Sequence, residues 1–179
     1  DRPEFDLYAS MEPVKEVGGD FYDFFMVDDD HLALVIADVS DKGVPAALFM
    51  MNAKALVKSY IESGMAIGEA IENANRQLCE GNDASMFVTL FAGVFDYGTG
   101  HIDYVNAGHN PPLLWHRDSW EWLKQKSGLP LGLFDGIPYE PFERQLAAED
   151  MLYLYTDGVT EAMNERGVLF GEERLEKTL

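Results

Sequence analysis

The chain has 179 residues, and 13 lysines and arginines stand against 32 aspartates and glutamates, which gives a formal net charge of −19 and a pI near 4.3. This balance argues against a nucleic-acid or anionic-membrane binder, which needs positive surface charge. The single cysteine, Cys79, excludes an intramolecular disulfide and favours a reducing, cytoplasmic setting. No apolar run reaches the roughly 18 residues of a membrane span, so we expect no direct membrane contact from this segment.

The apolar pattern predicts four strands and two long helices. The strands cover residues 31–37, 87–95, 102–106 and 151–156, and several are apolar on both faces, as in sheets that are covered on both sides. The helices cover about 43–63 and 66–80, and Gly81 is placed as the C-terminal stop of the second. The stripes predicted to cover a sheet are Ala47, Leu48, Met51, Ala55 and Leu56 in the first helix, and Ile67, Ile71, Ala74 and Leu78 in the second.

The order of these elements indicates a single α+β layered domain over residues 1–179. Residues 97–100 have the composition of a hairpin turn, so the sheet is expected to be largely antiparallel. A chain of this length buries roughly 70% of the surface that its unfolded form exposes. It can therefore form a substantial core without a second domain.

Three aspartates stand out from the other acids because of their surroundings. Asp20 follows two glycines, which allow a close approach of the backbone. Asp38 ends the apolar strand HLALVIA and Asp157 ends the strand MLYLYT, so each carboxylate is expected on a rigid element at a sheet edge. Taken alone, each aspartate also fits a helix N-cap or a turn, and that interpretation stays open. Together they would form an oxygen-rich cluster whose repulsion a divalent cation such as Mg²⁺ or Mn²⁺ removes.

Other chemistries find less support in the sequence. It contains no GxxxxGK[ST] phosphate loop, no GxGxxG after a strand, no GxSxG elbow and no HExxH motif. His109 is interpreted either as a structural turn residue, the more frequent case, or as a site residue. Ser40 has no histidine near it in sequence to activate it, and Cys79 is interpreted as inert packing. A nucleophilic side chain is therefore not expected.

Six sequence blocks together carry a specific resemblance. They are EVGGDFYDF (16–24), ADVSDKGVPAALFM (37–50), NAGHNPPLL (106–114), LPLGLF (129–134), YTDGVTEA (155–162) and LFGEERL (169–175). In this order, over essentially the whole chain, they resemble the bacterial metal-dependent serine/threonine phosphatases of the protein phosphatase 2C (PPM) superfamily. The branch is the one typified by the sporulation stage II E phosphatase and the stress-response sigma-factor regulators.

The resemblance implies a four-layer αββα sandwich of two mainly antiparallel sheets flanked by helices, with two Mn²⁺ or Mg²⁺ ions at one edge. It implies that Asp38 bridges both ions, the backbone carbonyl of Val39 binds one, Asp157 binds the other, and Asp20 binds directly or through water. A water activated by the cations would attack the phosphorus of phosphoserine or phosphothreonine, with Asp20, Asp38 and Asp157 as the catalytic set. The implied substrate is a phosphorylated regulatory protein, often an anti-sigma-factor antagonist.

The chain departs from the family pattern at two places. Asp41 stands where the family usually has glycine, a poorer fit wherever the backbone needs a positive φ. The last family block, Asp-Asp-x-Thr on a C-terminal strand, does not occur before Leu179, so we expect the domain to lack that strand and to belong to a longer chain with an upstream sensory or receiver domain. A non-catalytic, partner-binding signalling module with the same fold is the alternative hypothesis, and a generic acidic protein is the third.

Overall fold

The computed structural model describes residues 4–12 and 18–179, so the first two residues of the EVGGDFYDF block lie outside the described residues. The elements of this part of the chain are β1 (Phe21–Met26), β2 (His31–Val39), α1 (Val44–Glu62), α2 (Ile67–Cys79), β3 (Val88–Asp96), β4 (His101–Ala107), β5 (Leu113–His116), β6 (Ser119–Trp122), β7 (Phe142–Gln145), β8 (Met151–Tyr153), α3 (Asp157–Thr160) and α4 (Glu172–Thr178). None of these helices combines the length and apolar character that a bilayer crossing requires.

Two antiparallel sheets form the middle of the fold. One contains five strands in the order β1-β2-β3-β4-β7, and the other contains three in the order β6-β5-β8. The hairpin predicted at 97–100 is confirmed, because β3 and β4 pair antiparallel across that turn. Apolar β2 lies inside its sheet, where both of its edges are hydrogen-bonded, to β1 on one side and β3 on the other.

Three apolar clusters fill the spaces between the layers of helices and sheets. The first, around Val57 of α1, fills the space between α1, α2 and the five-stranded sheet. The second, with Phe91 of β3 and Leu114 of β5, lies between the two sheets. The third joins Leu113 of β5 to Leu175 of α4 on the far side of the three-stranded sheet. Since Leu113 and Leu114 are adjacent on one strand, they point to opposite faces. The four-layer αββα arrangement is thereby confirmed.

The two long helices differ in how well their buried faces were predicted. Helix α2 buries the predicted stripe of Ile67, Ile71, Ala74 and Leu78. Helix α1 instead buries Ala46, Ala53, Val57 and Ile61. The predicted stripe of α1 was wrong in part: Leu48 and Met51 are 66% and 59% exposed, whereas Leu56 is half-buried against the core. Helix α1 carries apolar residues on nearly every side, so its periodicity does not single out one face.

The segment around Asp157 also differs from the prediction. Strand β8 ends at Tyr153 rather than at residue 156, and a short helix, α3, begins at Asp157. Asp157 therefore lies in the first turn of a helix just after a strand. The carboxylate remains at the sheet edge, but a helix start rather than a strand end positions it.

The loop between β2 and α1 holds Asp41 at a φ of 69°. This left-handed conformation is costly for a residue with a Cβ and is tolerated by aspartate better than by most residues. We expect Asp41→Gly to raise the free energy of unfolding by about 0.5 kcal/mol, measured by urea denaturation. Asp41→Ala serves as the matched comparison, and its free energy of unfolding is expected to be lower than that of the parent protein. Equal or lower stability of the glycine variant would contradict this account of the loop.

Candidate metal centre

The three predicted aspartates come from three separate segments. Asp20 directly precedes β1, and the register pairs Phe21 with Ala37, so Asp20 stands level with Asp38 across the β1–β2 pair. Asp157 opens α3, which follows β8 of the other sheet. The two sheets therefore both contribute carboxylates to the same edge of the sandwich.

The electrostatics of this edge are unfavourable for the carboxylates by themselves. Burial, a hydrogen bond to Asp20 and the negative charges of Asp20 and Asp157 raise the pKa of Asp38 to about 8, and Lys42 partly opposes this shift. Burial also raises the pKa of Asp157, and the charges of Glu161 and Asp20 add to the effect. A hydrogen bond between two carboxyl groups requires a shared proton. Lys42 offsets the repulsion among these carboxyl groups only in part, and a hard divalent cation would offset it further.

The glycines before Asp20 have different surroundings. A Cβ on Gly19 would stand 2.8 Å from the carbonyl oxygen of Val39 and 3.3 Å from the Val39 Cβ. A Cβ on Gly18 would meet its nearest neighbour, the Asp20 nitrogen, at 3.9 Å. The close approach expected from the glycine pair is therefore made by Gly19, against the carbonyl implied as a metal ligand. An all-oxygen donor set of carboxylates and one carbonyl suits Mg²⁺ or Mn²⁺.

Two hydroxyl groups at this edge escaped the sequence analysis. Thr156 Oγ1 donates to Asp20 Oδ2 at 2.7 Å, which fixes the orientation of that carboxylate. Thr89 lies opposite Asp38 in the β2–β3 ladder, with its Oγ1 3.4 Å from the Asp38 carbonyl oxygen. A polar residue inside the apolar run FVTLFAGVF was the available signal for Thr89, and the position directly before Asp157 was the signal for Thr156.

A cleft of about 280 Å³ opens at this edge. Its lining consists of Asp38, Thr89, Gly108, His109, Asn110, Pro111, Lys126 and Asp157. Its volume lies just below the range of roughly 300 to 1,000 Å³ that is usual for small-molecule sites. The cleft therefore has room for a small group rather than a bulky ligand. Lys126, an exposed lysine that the sequence analysis also missed, is part of the cleft lining.

Contacts of Ser40 and Leu131 with residues at the start of β3 join the segments next to this edge. The Ser40 hydroxyl accepts a hydrogen bond from the Phe87 N–H at 2.9 Å, and the Ser40 N–H donates to the Phe87 carbonyl at 2.9 Å. Leu131 of the LPLGLF block exchanges two backbone hydrogen bonds with Val88. Ser40 thus joins the end of β2 to the segment before β3, and its exclusion as a nucleophile stays a prediction.

A second group of ligand-type side chains lies elsewhere on the five-stranded sheet. The ligand atoms of His101, Asp103 and Glu143 all lie within 4.8 Å of one another, whereas those of the three described aspartates do not. His101 is opposite Asp96 of β3, and Asp38 is opposite Thr89 of the same strand. Seven residues of β3 separate the two positions, about 23 Å in an extended strand. The group of His101, Asp103 and Glu143 on β4 and β7 is therefore separate from the three aspartates.

Known proteins match this chain over most of its length. The family model of Stage II sporulation protein E (SpoIIE) matches residues 28–179, which include Asp38 and Asp157 but not Asp20. Phosphoserine phosphatase RsbU of Bacillus subtilis is 35% identical over 165 residues, which cover 92% of this chain and 49% of RsbU. Protein IcfG of Synechocystis is 32% identical over an aligned length of 207 residues. The alignment covers 100% of this chain and 32% of IcfG.

The solved structure of the PP2C phosphatase domain of SpoIIE from Bacillus subtilis has a TM-score of 0.73 to this chain at 25% identity, covering 82% of this chain and 43% of that one. The fold and the carboxylate edge together define a domain of the PP2C phosphatase type. The chain belongs to the SpoIIE family. It spans about half of RsbU and about a third of IcfG.

Proposed function

We propose that this domain hydrolyses phosphoserine or phosphothreonine on a regulatory protein, with Mn²⁺ or Mg²⁺ as cofactor. The observation that carries the proposal is the convergence of Asp20, Asp38 and Asp157 beside a small cleft, where burial, a hydrogen bond to Asp20 and the charges of Asp20 and Asp157 raise the pKa of Asp38. The relative RsbU, which is named a phosphoserine phosphatase, supports the choice of substrate.

The proposed ligands are the carboxylates of Asp20, Asp38 and Asp157 and the carbonyl of Val39. When bound, divalent cations make a water nucleophilic near neutral pH and offset charge on the phosphoryl oxygens. The Thr156 hydroxyl holds the Asp20 carboxylate in one orientation, so less rotamer freedom is lost on binding. The chain itself supplies no nucleophile in this account, since the Ser40 hydroxyl is engaged by the backbone of Phe87.

The test of the proposed activity is the release of inorganic phosphate from a phosphoserine-containing protein. We expect release that depends on Mn²⁺ or Mg²⁺ and stops when EDTA is added. Release that continues in EDTA would contradict the metal centre. Stable binding of the phosphoprotein without turnover, in protein saturated with Mn²⁺, would favour the non-catalytic signalling module instead.

Lys126 is the proposed contact for the phosphate of the substrate. Lys126 lines the same cleft as Asp38 and Asp157, and a charged hydrogen bond contributes about 1.5 to 3 kcal/mol. We expect Lys126→Gln to raise KM for the phosphoprotein about tenfold, with a smaller change in kcat. The matched control is Lys124→Gln, which removes an exposed lysine that is not part of the cleft lining. Equal effects of the two substitutions would contradict a specific role for Lys126.

The wider biological setting is also part of the proposal. We propose that the domain acts in the cytoplasm on a phosphorylated anti-sigma-factor antagonist, and that it belongs to a longer chain with an upstream sensory or receiver domain. The family resemblance supports the substrate, and the greater length of RsbU and IcfG supports further domains. Mass spectrometry of phosphorylated candidate antagonists after incubation with the protein tests the substrate. Loss of phosphate from unrelated phosphoproteins at the same rate would contradict it.

A further inference from the structure

His109 joins the two sheets at the carboxylate edge. It follows β4 and is only 3% exposed. Its Nδ1 lies 2.9 Å from Thr89 Oγ1, and its Nε2 lies 3.1 Å from the carbonyl oxygen of Tyr155. The backbone N–H of His109 donates a hydrogen bond to Asn106 Oδ1 at 2.8 Å, which positions the backbone that carries the ring. One imidazole thus spans from a strand of the five-stranded sheet to the segment that follows β8 of the other sheet.

These contacts determine which ring nitrogen carries hydrogen. The Tyr155 carbonyl only accepts, so Nε2 of His109 must be the donor. Burial lowers the pKa of His109 to about 4, so the ring is neutral at pH 7 and Nδ1 accepts a hydrogen bond from the Thr89 hydroxyl. The Asp38 carbonyl competes for the same hydroxyl hydrogen from 3.4 Å, which is a longer and weaker contact. Both ring nitrogens are therefore occupied.

Each end of this link adjoins a proposed metal ligand. Thr89 is the cross-strand partner of Asp38 in the β2–β3 ladder. Tyr155 lies two residues before Asp157, and the intervening Thr156 holds Asp20. A shift of the imidazole would therefore move the Asp38 side of the edge relative to the Asp157 side.

We propose that His109 is a positioning residue whose Nε2–H tautomer links Thr89 to Tyr155 and thereby sets the separation of the Asp38 and Asp157 carboxylates. This inference rests on the proposed metal centre. His109 acts through the ligands and does not transfer a proton to or from substrate, because neither ring nitrogen is free. Its loss is expected to weaken cation binding by the roughly 10- to 100-fold that is typical of residues that orient metal ligands.

The first test is NMR of the parent protein labelled with ¹⁵N-histidine. We expect His109 to remain the neutral Nε2–H tautomer from pH 5.5 to 8. His31 is the internal control, since its hydrogen bond to Asp28 raises its pKa and its ring should titrate. An Nδ1–H tautomer, or an imidazolium at pH 7, would overturn the proposal. This measurement needs neither a bound cation nor activity.

The second test is a double-mutant cycle on Mn²⁺ affinity, measured by calorimetry. His109→Gln keeps a donor toward Tyr155 but loses the acceptor for Thr89, and Thr89→Val removes the hydroxyl at nearly constant shape. We expect each substitution to weaken Mn²⁺ binding about tenfold, and the double variant to be no worse than His109→Gln, because both break the same link. His31→Gln is the control.

The outcomes of the cycle separate the two claims. Additive losses, or unchanged Mn²⁺ affinity with only a lower Tm, would overturn the positioning role of His109. Absence of Mn²⁺ binding to the parent protein would instead contradict the proposed metal centre. In that case the tautomer measurement still decides whether the Thr89–His109–Tyr155 link exists.

Discussion

Asp38→Asn is expected to lower the metal-dependent phosphatase activity about a thousandfold and to abolish saturable Mn²⁺ binding. Asp38 has two carboxylate neighbours, Asp20 and Asp157, and is one of the proposed metal ligands. Asparagine keeps the shape but removes the charge. The measurements are phosphate release in Mn²⁺ and calorimetric titration. Asp23→Asn is the matched control, since Asp23 is on neighbouring β1 and pairs with Lys54 at 3.5 Å. A variant with parental activity would contradict the assigned role of Asp38.

The same substitution is expected to stabilise the cation-free protein. The folded-state pKa of Asp38, about 8, exceeds the unfolded value of 3.8, so the folded protein binds the proton more tightly. The contribution of Asp38 to the free energy of unfolding is therefore most favourable below the unfolded pKa, and it falls as pH rises toward 8. Asparagine does not ionise, so it avoids this loss of stability at high pH. Its side-chain amide can still donate a hydrogen bond to Asp20.

Urea denaturation in EDTA measures the effect on stability. We expect Asp38→Asn to raise the free energy of unfolding at pH 8 by on the order of 1 to 2 kcal/mol, a value discounted for the partial exposure of the site. The gain should be much smaller near pH 4, where the folded carboxyl is protonated and the unfolded one is only about half ionised, and it should vanish at still lower pH. A gain of the same size at pH 4 and pH 8 would contradict the electrostatic explanation.

Gly19→Ala is expected to produce the second large effect. The new Cβ would stand 2.8 Å from the Val39 carbonyl oxygen, closer than real Cβ contacts, so the backbone of one strand end must move. We expect Mn²⁺ affinity to fall by about 10- to 100-fold and the free energy of unfolding to fall by about 1 to 3 kcal/mol. Calorimetry and urea denaturation measure the two quantities.

Gly18→Ala is the matched control for this substitution. It adds the same methyl group one residue earlier, where the nearest atom is 3.9 Å away. It should leave Mn²⁺ affinity close to that of the parent protein. If both alanine variants bind Mn²⁺ alike, the Val39 carbonyl is not a ligand that Gly19 must accommodate.

The fold could be predicted from sequence where the apolar pattern had one interpretation. In α2 a single stripe through Ile71 and Leu78 is apolar, and the structure buries it. In α1, residues such as Leu48 and Val57 are apolar on different sides of the helix. Tertiary packing against α2 and the five-stranded sheet buries Val57 and leaves Leu48 exposed. The shortening of β8 depended on where the three-stranded sheet stops pairing, which local propensity does not encode.

The candidate site was partly predictable for a similar reason. Asp20 and Asp38 could be identified because glycines or a buried strand adjoin them in sequence. The contacts of His109 could not, because Thr89 and Tyr155 are 20 and 46 residues away along the chain. Lys126 gave no local signal, since a lysine in a loop is usually solvated. Its position in the cleft follows from tertiary structure alone.

The most direct test of the metal centre is anomalous diffraction from crystals of the protein soaked in Mn²⁺. If the proposed metal centre is correct, we expect anomalous peaks at the sandwich edge, within coordination distance of Asp38, Asp157 and the Val39 carbonyl oxygen. The group of His101, Asp103 and Glu143 is an internal comparison about 23 Å away along β3. Peaks at that group and none at Asp38 in fully soaked crystals would contradict the central claim.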